Sequence, residues 1–576
     1  MKPDRHIVKE NFDSVIYATL PGFCGQNPYM LSFEKMTLGD LCLKAAEKYK
    51  NRRAFEIYRG GKVYDPVSYR LMGQRARQFG ALLQSLGVRA GDRVMILSEN
   101  SPEWPIALFG AALAGAIAVP VLPDFTPEQI RAIAVHAGVS AICVTERTAI
   151  KIAAPDLGVP RLYLDSIENS SAETGIQVSI KGIKKRLPLH EPGKGFSFPQ
   201  VNEEGPALII YTSGASGKSK GVLLSHRNLI FCAQASRALM KVFPRDRLLS
   251  VIPLAHAYEC TLGLLAAIMN GAAITYLDKP PSPVVLLPAI QALRPTIMLT
   301  VPLFIEKIYR QKIAPALHGS FLYRCVLTRP LALYLAGRKL NAAFGGSIRS
   351  FGIGGAPLSA DVEEFLRKIK FPYSPGYGLT EAAPLLTGTA PYHFPVHSAG
   401  SSPPGVELRI APPAPGFTEG EIQARGPNIM MGYYQDEEAT KNAFSPDGWL
   451  RTGDLGNLDK KGHLYIRGRI KAMILGPSGE NIYPEEIEIL LNASPLIEES
   501  LARAGERGIP TALAVLSGEG KKRREAAPEN FNKELEDLKN AVNHQLPPFS
   551  RISRIEIRDE PFEKTPTQKI KRFLYS

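Results

Sequence analysis

The chain has 576 residues, with 69 Lys and Arg against 55 Asp and Glu, a net charge of +14. That length exceeds one compact domain and implies roughly two to four, and a composition that is 45% hydrophobic and 22% charged excludes a disordered or collagen-like chain. The excess charge calls for an anionic partner, whether nucleic acid, anionic lipid or a phosphorylated ligand. No nucleic-acid-binding motif accompanies it, so nucleic acid is not expected.

Met1 to Asn11 lacks the apolar core of a secretory signal. The six cysteines (Cys24, Cys42, Cys143, Cys232, Cys260, Cys325) are scattered, with no CxxC. Neither a zinc cluster nor a disulfide framework is expected, and a reducing, cytoplasmic location is the default. Arg70 to Leu86 places Met72, Ala76, Phe79, Leu82 and Leu86 on one helical face, ended by Gly87. Val94 to Leu97 reads as a buried strand, Trp104 to Ala116 as helix, Ile117 to Val121 as strand, Pro127 to His136 as helix and Ala141 to Val144 as strand. Such repeated βα units predict a parallel sheet with helices on both faces. The prolines of Trp104 to Pro123 leave about 14 helical residues, short of the ~20 that span a bilayer. A buried helix running into a strand is expected there, and again over Cys260 to Tyr276.

Lys181 to Asn202, rich in Pro, Gly and Lys, reads as a linker or surface loop. Strand signals resume at Ala207 to Tyr211, Leu248 to Ile252, Ala273 to Leu277 and Ile297 to Val301. After Pro403, short strands between Gly and Pro turns (Val406 to Ile410, Glu421 to Ala424, Gly462 to Ile466) predict a small β-subdomain over about 400–470. The expectation is an α/β fold. A large N-terminal domain, residues 1–470, holds mainly parallel, helix-flanked sheets and the β-subdomain, and a smaller α+β C-terminal domain spans 471–576.

Strand Ala207 to Tyr211 runs into Thr212-Ser-Gly-Ala-Ser-Gly-Lys-Ser-Lys-Gly221, with a helix expected from His226 behind an N-cap at Ser225. Strand, Gly/Ser/Lys loop and helix form a layout that holds phosphates. It is not a Walker A loop, because Thr212 stands where that motif needs Gly. Tyr-Thr-Ser-Gly-Ala-Ser-Gly-Lys-Ser-Lys-Gly-Val resembles the phosphate loop of the adenylate-forming (AMP-binding) superfamily, usually YTSGTTGKPKGV. Here Ala215 replaces a hydroxyl residue and Ser219 a proline. The resemblance assigns Thr212, Ser213, Gly214, Ser216, Gly217 and Lys220, but not Ala215, to ATP.

Further stretches resemble the family's motifs in its order. Ser374-Pro-Gly-Tyr-Gly-Leu-Thr-Glu381 implies Tyr377 and Gly378 at adenine, Thr380 on an α-phosphate oxygen and Glu381 as the Mg²⁺ ligand, a hard carboxylate suited to that ion. Gly354-Gly355-Ala356-Pro357 implies the wall of the adenine and acyl pocket, where glycine permits close backbone approach. In Asp447-Gly-Trp-Leu-Arg-Thr-Gly-Asp454 the last residue would accept the ribose hydroxyls. In Gly468-Arg469-Ile-Lys471, Arg469 would contact ribose or phosphate and Lys471 would be the hinge of a mobile C-terminal domain. Lys564-Thr-Pro-Thr-Gln-Lys569-Ile-Lys571 resembles the catalytic-lysine motif. It assigns Lys569, although Gln568 stands where many members have Gly.

Pro253-Leu-Ala-His-Ala-Tyr-Glu259 and Val301-Pro-Leu-Phe-Ile-Glu-Lys-Ile-Tyr309 resemble the long-chain fatty acyl-CoA synthetase branch, with His256 and Tyr258 flanking the acyl entrance. The implied reaction uses ATP and Mg²⁺ to turn a fatty acid into acyl-AMP and pyrophosphate, then coenzyme A to form the thioester. An acyl carrier protein as acceptor, and a medium-chain or aryl acid, remain open. So does a catalytically degraded acyl- or nucleotide-binding protein. Finally, residues 301–350 carry eight basic residues against Glu306, half of the net charge. Mixed with Phe321, Leu322, Val326, Leu327, Leu331, Leu333 and Leu335, they predict peripheral contact with an anionic membrane, at its inner face.

Overall fold

The computed structural model describes residues 37–152, 157–167, 175–180, 182–193, 196–213, 219–412, 418–476, 480–505, 508–564 and 570–575. The βα alternation read from the sequence forms two large sheets. In the first, the strands run in the order Gly432–Tyr433, Ser219–Ser225, Pro206–Ser213, Ile117–Val121, Arg93–Leu97, Val139–Val144, Arg161–Tyr163, Gly175–Ile180, Ile183–Pro188. Its central strands, from Pro206–Ser213 to Arg161–Tyr163, are parallel. The second sheet runs Thr387–Gly388, Tyr373–Tyr377, Ser350–Ile353, Ile297–Thr300, Arg247–Leu249, Ala273–Leu277, Arg53–Arg59, Lys62–Ser68, again parallel except at its edges.

Helices Tyr69–Ser85 and Glu103–Leu113 cross within the main apolar core. They meet at glycines: a Cβ on Gly80 would stand 2.9 Å from the Gly110 carbonyl, and one on Gly110 2.8 Å from the Phe79 ring. Trp104, Phe109 and Phe79 on these two helices are fully buried. The expected buried helix before Ala273–Leu277 is a π-helical stretch, Glu259–Leu265, continued by Ala266–Asn270. Among the described residues no helix is long and apolar enough to cross a membrane.

Two expectations are corrected. Within the expected loop 181–202, Ile183–Pro188 is a strand, paired antiparallel with Gly175–Ile180 at the sheet edge. Its Lys184, Lys185 and Arg186 are exposed, and charged side chains of this kind guard an edge against further pairing. The composition resembled a loop because only one side of the strand has a neighbour. The second correction concerns the Gly/Ser/Lys segment. No helix follows it directly. Ser219–Ser225 is a strand that folds back on Pro206–Ser213, and only after it does the helix begin, at His226 behind the Ser225 N-cap as expected, capped reciprocally by Ser225 and Asn228. Seven strand residues put the helix N-terminus roughly 20 Å from the loop. The dipole of that helix therefore cannot serve the loop.

Glu407–Ala411, Gly420–Arg425, Leu450–Leu458 and Leu464–Arg469 form a four-stranded antiparallel sheet. Beyond it, helices Pro484–Asn492 and Pro528–Gln545 cover the three-stranded sheet of Ile497–Ala504, Pro510–Leu516 and Ile555–Arg558.

Arg310 joins this C-terminal unit to the large sheets. Its Nη1 donates to the carbonyl of Asn492, the last residue of helix Pro484–Asn492, while Nη2 donates to Ser359 Oγ at 2.9 Å. A cation on terminal carbonyls also complements the helix dipole. Arg310→Ala removes a charge-assisted bond worth about 1.5–3 kcal/mol. Hydrogen exchange across residues 484–492 is expected to accelerate roughly tenfold or more, and unchanged exchange would show that the contact does not hold the unit.

Candidate active site

Parallel strands leave their carboxyl ends open to ligands, and Gly354 to Ala356 and Tyr377 to Glu381, part of the predicted set, lie there. Strand Ser350–Ile353 ends at Gly354 and Gly355, the latter with φ +88°. Gly354 is buried, whereas Gly355 and Ala356 are exposed and form an open lip. The neighbouring strand Tyr373–Tyr377 ends at Gly378 and leads into the turn Thr380–Ala382. A Cβ on Gly378 would lie 1.7 Å from the Pro384 carbonyl oxygen, so packing alone demands glycine there. The Tyr258 ring is 3.4 Å from a Cβ placed on Gly354, and its hydroxyl 3.0 Å from one on Gly352. The side chain of Val301 comes within 3.9 Å of a Cβ at Gly355. The two stretches assigned to the acyl entrance thus meet the glycine lip.

Asp454 is buried and held at both oxygens. Tyr377 donates its hydroxyl to Oδ2 at 2.8 Å, and Arg469 Nε lies 3.1 Å from Oδ1. The pair Asp454 and Arg469 is set by cross-strand register between Leu450–Leu458 and Leu464–Arg469. Burial, and then the Asp454 charge, push the Tyr377 phenol well above its usual range, so it remains a donor. The Asp454 amide donates to Thr452 Oγ1 at 3.1 Å, and that hydroxyl donates to the Ile422 carbonyl at 2.7 Å. Each carboxylate oxygen keeps a lone pair for a further donor.

Four residues along from Tyr377, Glu381 Oε1 accepts the Tyr433 hydroxyl at 2.9 Å. Lys220 Nζ sits 4.7 Å from the centre of the same ring. Asn428 braces the turn carrying Glu381 by donating to the carbonyls of Ala382 and Leu385, and the Met430 amide bonds the Glu381 carbonyl. Lys220 is the strand partner of Thr212, and Ser219 that of Ser213. Gly214, Ser216 and Gly217 lie outside the described residues, as does the Ser213 side chain. Tyr433, Thr452 and Asn428 were not singled out from the sequence. Tyr433 sits on a two-residue strand whose partner, Leu223 and Val222, is remote in sequence, so no local spacing announces it. Thr452, within the Thr-Gly-Asp triplet, was the findable one.

His256 and Tyr258 precede the π-helical stretch, and the Cys260 amide bonds the His256 carbonyl. Next to them, Glu259 is fully enclosed. Ser250 donates to its Oε1 at 2.6 Å, and Asn100 donates to Ser250 Oγ at 3.0 Å. Burial raises the Glu259 carboxyl to about 8, opposed by the Ser250 hydrogen bond. At the C-terminal side, Lys471 is exposed in the turn Ile470–Ala472. Lys569 lies outside the described residues, but both flanks of its segment are tied down. Lys564 pairs with Glu499 and bridges to Ile570, and Arg572 pairs with Glu488. Burial raises Glu488 to about 7, with Arg572 opposing.

Residues 42–434 match the family model described as AMP-binding enzyme, and 472–574 match that of the AMP-binding enzyme C-terminal domain. The chain belongs to the AMP-binding enzyme family. It is 30% identical over 552 residues to the long-chain-fatty-acid–CoA ligase FadD15 of Mycobacterium bovis, covering 86% of this chain and 88% of that one. It is 29% identical over 490 residues to a long-chain-fatty-acid–CoA ligase of Yersinia pestis, covering 79% and 80%. The fold is that of the Bacillus subtilis O-succinylbenzoate coenzyme A synthetase solved with ATP and magnesium, with TM-score 0.70, 22% identity, and 93% and 98% of the two chains covered.

Glu259 has a consequence for stability. An unfolded chain ionises a glutamate near pH 4.5, the folded one only near 8. Stability from this group is therefore complete below about pH 4.5 and falls by about 1.4 kcal/mol per pH unit as pH rises towards 8. Glu259→Gln keeps the acceptor for Ser250 and removes the titration. Denaturant midpoints of the variant are expected to lose one proton's worth of slope between about pH 5 and 8. An identical pH profile in both proteins would mean that Glu259 is ionised in the fold.

Proposed function

We propose that this chain is an AMP-forming long-chain-fatty-acid–CoA ligase. The observation that carries the reading is the buried Asp454, gripped by Tyr377 and Arg469, with Tyr377 four residues before Glu381 at the carboxyl end of the parallel sheet. ATP is bound with its ribose hydroxyls on the free lone pairs of Asp454, adenine against Tyr377 and Gly354–Ala356, and its phosphates at the hairpin of residues 212–220. Lys220 lies beside Tyr433 at the base of that hairpin.

A carboxylate is anionic and has no leaving group. In the first step its oxygen attacks the α-phosphorus of ATP, forming acyl-AMP and releasing pyrophosphate. Negative charge growing on the phosphates is met by hairpin N–H groups, Thr380, Lys220 and Lys569. In the second step the sulfur of coenzyme A attacks the acyl carbonyl, AMP leaves, and the thioester remains. Glu381 suits a Mg²⁺ ion: Tyr433 orients one of its oxygens, and the other has no protein donor among the described residues. No group of three metal-binding side chains occurs among the described residues. A single carboxylate supplemented by phosphate oxygens is the usual Mg²⁺ arrangement. When bound, the ion supplies neutralisation of phosphate charge.

His256 and Tyr258 face the acid, which the chain meets at the inner, anionic face of a membrane through part of residues 301–350. Rotation about Lys471 brings Lys569 in for the first step and withdraws it for the second. Release of pyrophosphate across a panel of acids, with and without coenzyme A, tests substrate and acceptor together: long-chain acids giving acyl-CoA are expected. Activity confined to aryl acids, or to an acyl carrier protein as acceptor, would overturn the reading. Lys569→Ala is expected to slow acyl-AMP formation about 10²–10³-fold while sparing thioester formation from supplied acyl-AMP; equal loss in both steps would remove its role. Lys471→Pro, which restricts the hinge backbone, is expected to slow the thioester step selectively.

A further inference from the structure

We propose that the helical hairpin Phe321–Arg338 docks on an anionic phospholipid bilayer, with a basic groove at its far end seating a lipid phosphate. This rests on, and sharpens, the reading of the chain as a long-chain-fatty-acid ligase.

The basic block of residues 301–350 is not uniform in its contacts. Arg349 pairs with Asp246, and Arg310 is spent on the C-terminal unit. The hairpin between them is different. Arg324 Nε donates to the His318 carbonyl and Arg329 Nε to the Tyr323 carbonyl, so neither charge is neutralised. No acidic residue occurs between Glu306 and Asp361. Amid these cations stand unusually bare apolar side chains: Leu327 is 90% exposed, Phe321 81% and Val326 73%, with Leu331 and Tyr334 also exposed.

These tips are held in place. Thr328 donates to the Leu322 carbonyl at 2.8 Å, the Arg329 amide bonds the Cys325 carbonyl, and His318 stacks edge-on against Tyr323. Helix Arg329–Ala343 is apolar on both faces. Ala332 and Leu340 are buried and Leu333 and Ala336 pack on the core, while Leu331, Tyr334, Leu335 and Arg338 form an outer stripe at helical spacing. That outer stripe leads into a groove of about 500 Å³ lined by Tyr334, Arg338, Asn341, Lys370 and Tyr392. Arg338 and Lys370 have no carboxylate partner among the described residues. The same apolar cluster that anchors the hairpin, through Leu317, Tyr323 and Leu333, contains Phe304, Ile305 and Ile353, next to the Val301–Gly355 lip.

An apolar patch set among cations, in a segment that has no acid of its own, matches the two parts of an anionic bilayer: acyl chains for the tips and phosphates for the cations. Side chains that stand clear of the surface insert into a fluid layer without needing a shaped receptor. A bilayer is also where a long-chain acid partitions.

The test is sedimentation of the full chain with vesicles of phosphatidylcholine alone, or with about one-third phosphatidylglycerol. Binding to the anionic vesicles is expected, weakening at least tenfold between about 50 and about 500 mM salt. Leu327→Glu with Leu331→Glu is expected to abolish it. Arg338→Ala with Lys370→Ala is expected to lower only the phosphatidylglycerol-dependent part, while inorganic phosphate at millimolar levels leaves vesicle binding in place. Thermal midpoints should not move, because all four side chains are exposed. Turnover of fatty acid supplied as monomer should be unchanged, and turnover of vesicle-loaded acid should fall. No vesicle binding at low salt overturns the proposal, as does binding that the hairpin variants leave intact. Self-association lost in the Leu327→Glu, Leu331→Glu protein without any vesicle binding also overturns it and makes the patch an interface between copies. Hairpin-dependent vesicle binding by a chain inactive on every fatty acid would sink the ligase reading and leave the surface standing.

Discussion

A buried carboxylate must be compensated by donors, and at Asp454 this constraint ties three parts of the chain together. The donors on its carboxylate come from the end of the parallel sheet (Tyr377) and the following antiparallel strand (Arg469), while its own amide donates to Thr452 on the same strand. Because Tyr377 belongs to the strand that continues into Glu381, the contact that satisfies Asp454 also sets the distance between the proposed sugar and phosphate contacts. Glu381 is in turn fixed by Tyr433, whose two-residue strand pairs with the strand after the phosphate hairpin. Tyr377, Asp454 and Arg469 are therefore joined directly, and Glu381 follows Tyr377 on the same segment. Displacing one segment would misplace the rest.

Much of this was legible in the residues. Ile117–Val121 and Ala273–Leu277 have the bounds read from their apolar runs, because a buried parallel strand is apolar on both faces and stops where polarity returns. Helix Tyr69–Ser85 was visible in its apolar spacing and in Gly87. Strand Leu450–Leu458 was missed although it contains Asp454: Arg451, Thr452, Gly453, Asp454 and Gly456 give it neither alternation nor a run. Its pairing is enforced by neighbours on both sides, so tertiary context overrides propensity. The hairpin after Thr212 was read as a loop entering a helix for the opposite reason. Ser219-Lys-Gly is weak strand sequence, stabilised by backbone pairing to Pro206–Ser213.

Site residues were legible where the chemistry is local in sequence, as in Gly378 to Glu381. They were not legible where the partner arrives from elsewhere. Tyr433 and Asn428 act only by reaching the turn of Glu381 across the fold. Glu259 was quoted as the end of a motif, but its enclosure behind Ser250 and Asn100 depends on strands more than a hundred residues apart in the chain.

The placement of Arg469 bears on the proposed two-step chemistry. It precedes Lys471, so a rotation about Lys471 as proposed would leave it with Asp454. The Asp454 pair and Lys569 would then lie on opposite sides of the proposed hinge in the chain. Rotation can then withdraw a lysine without releasing the adenylate, which a mechanism passing one intermediate between two steps requires. The orientation seen here has its own hold, Arg310 on the end of helix Pro484–Asn492. That hold comes from the same basic block whose exposed hairpin is assigned to lipid. The proposed lipid contact and the Arg310 hold would thus be carried by adjacent turns of one helical region. A membrane that shifts the hairpin would act on the Arg310 contact through the shared packing of Leu317, Ile313 and Tyr309.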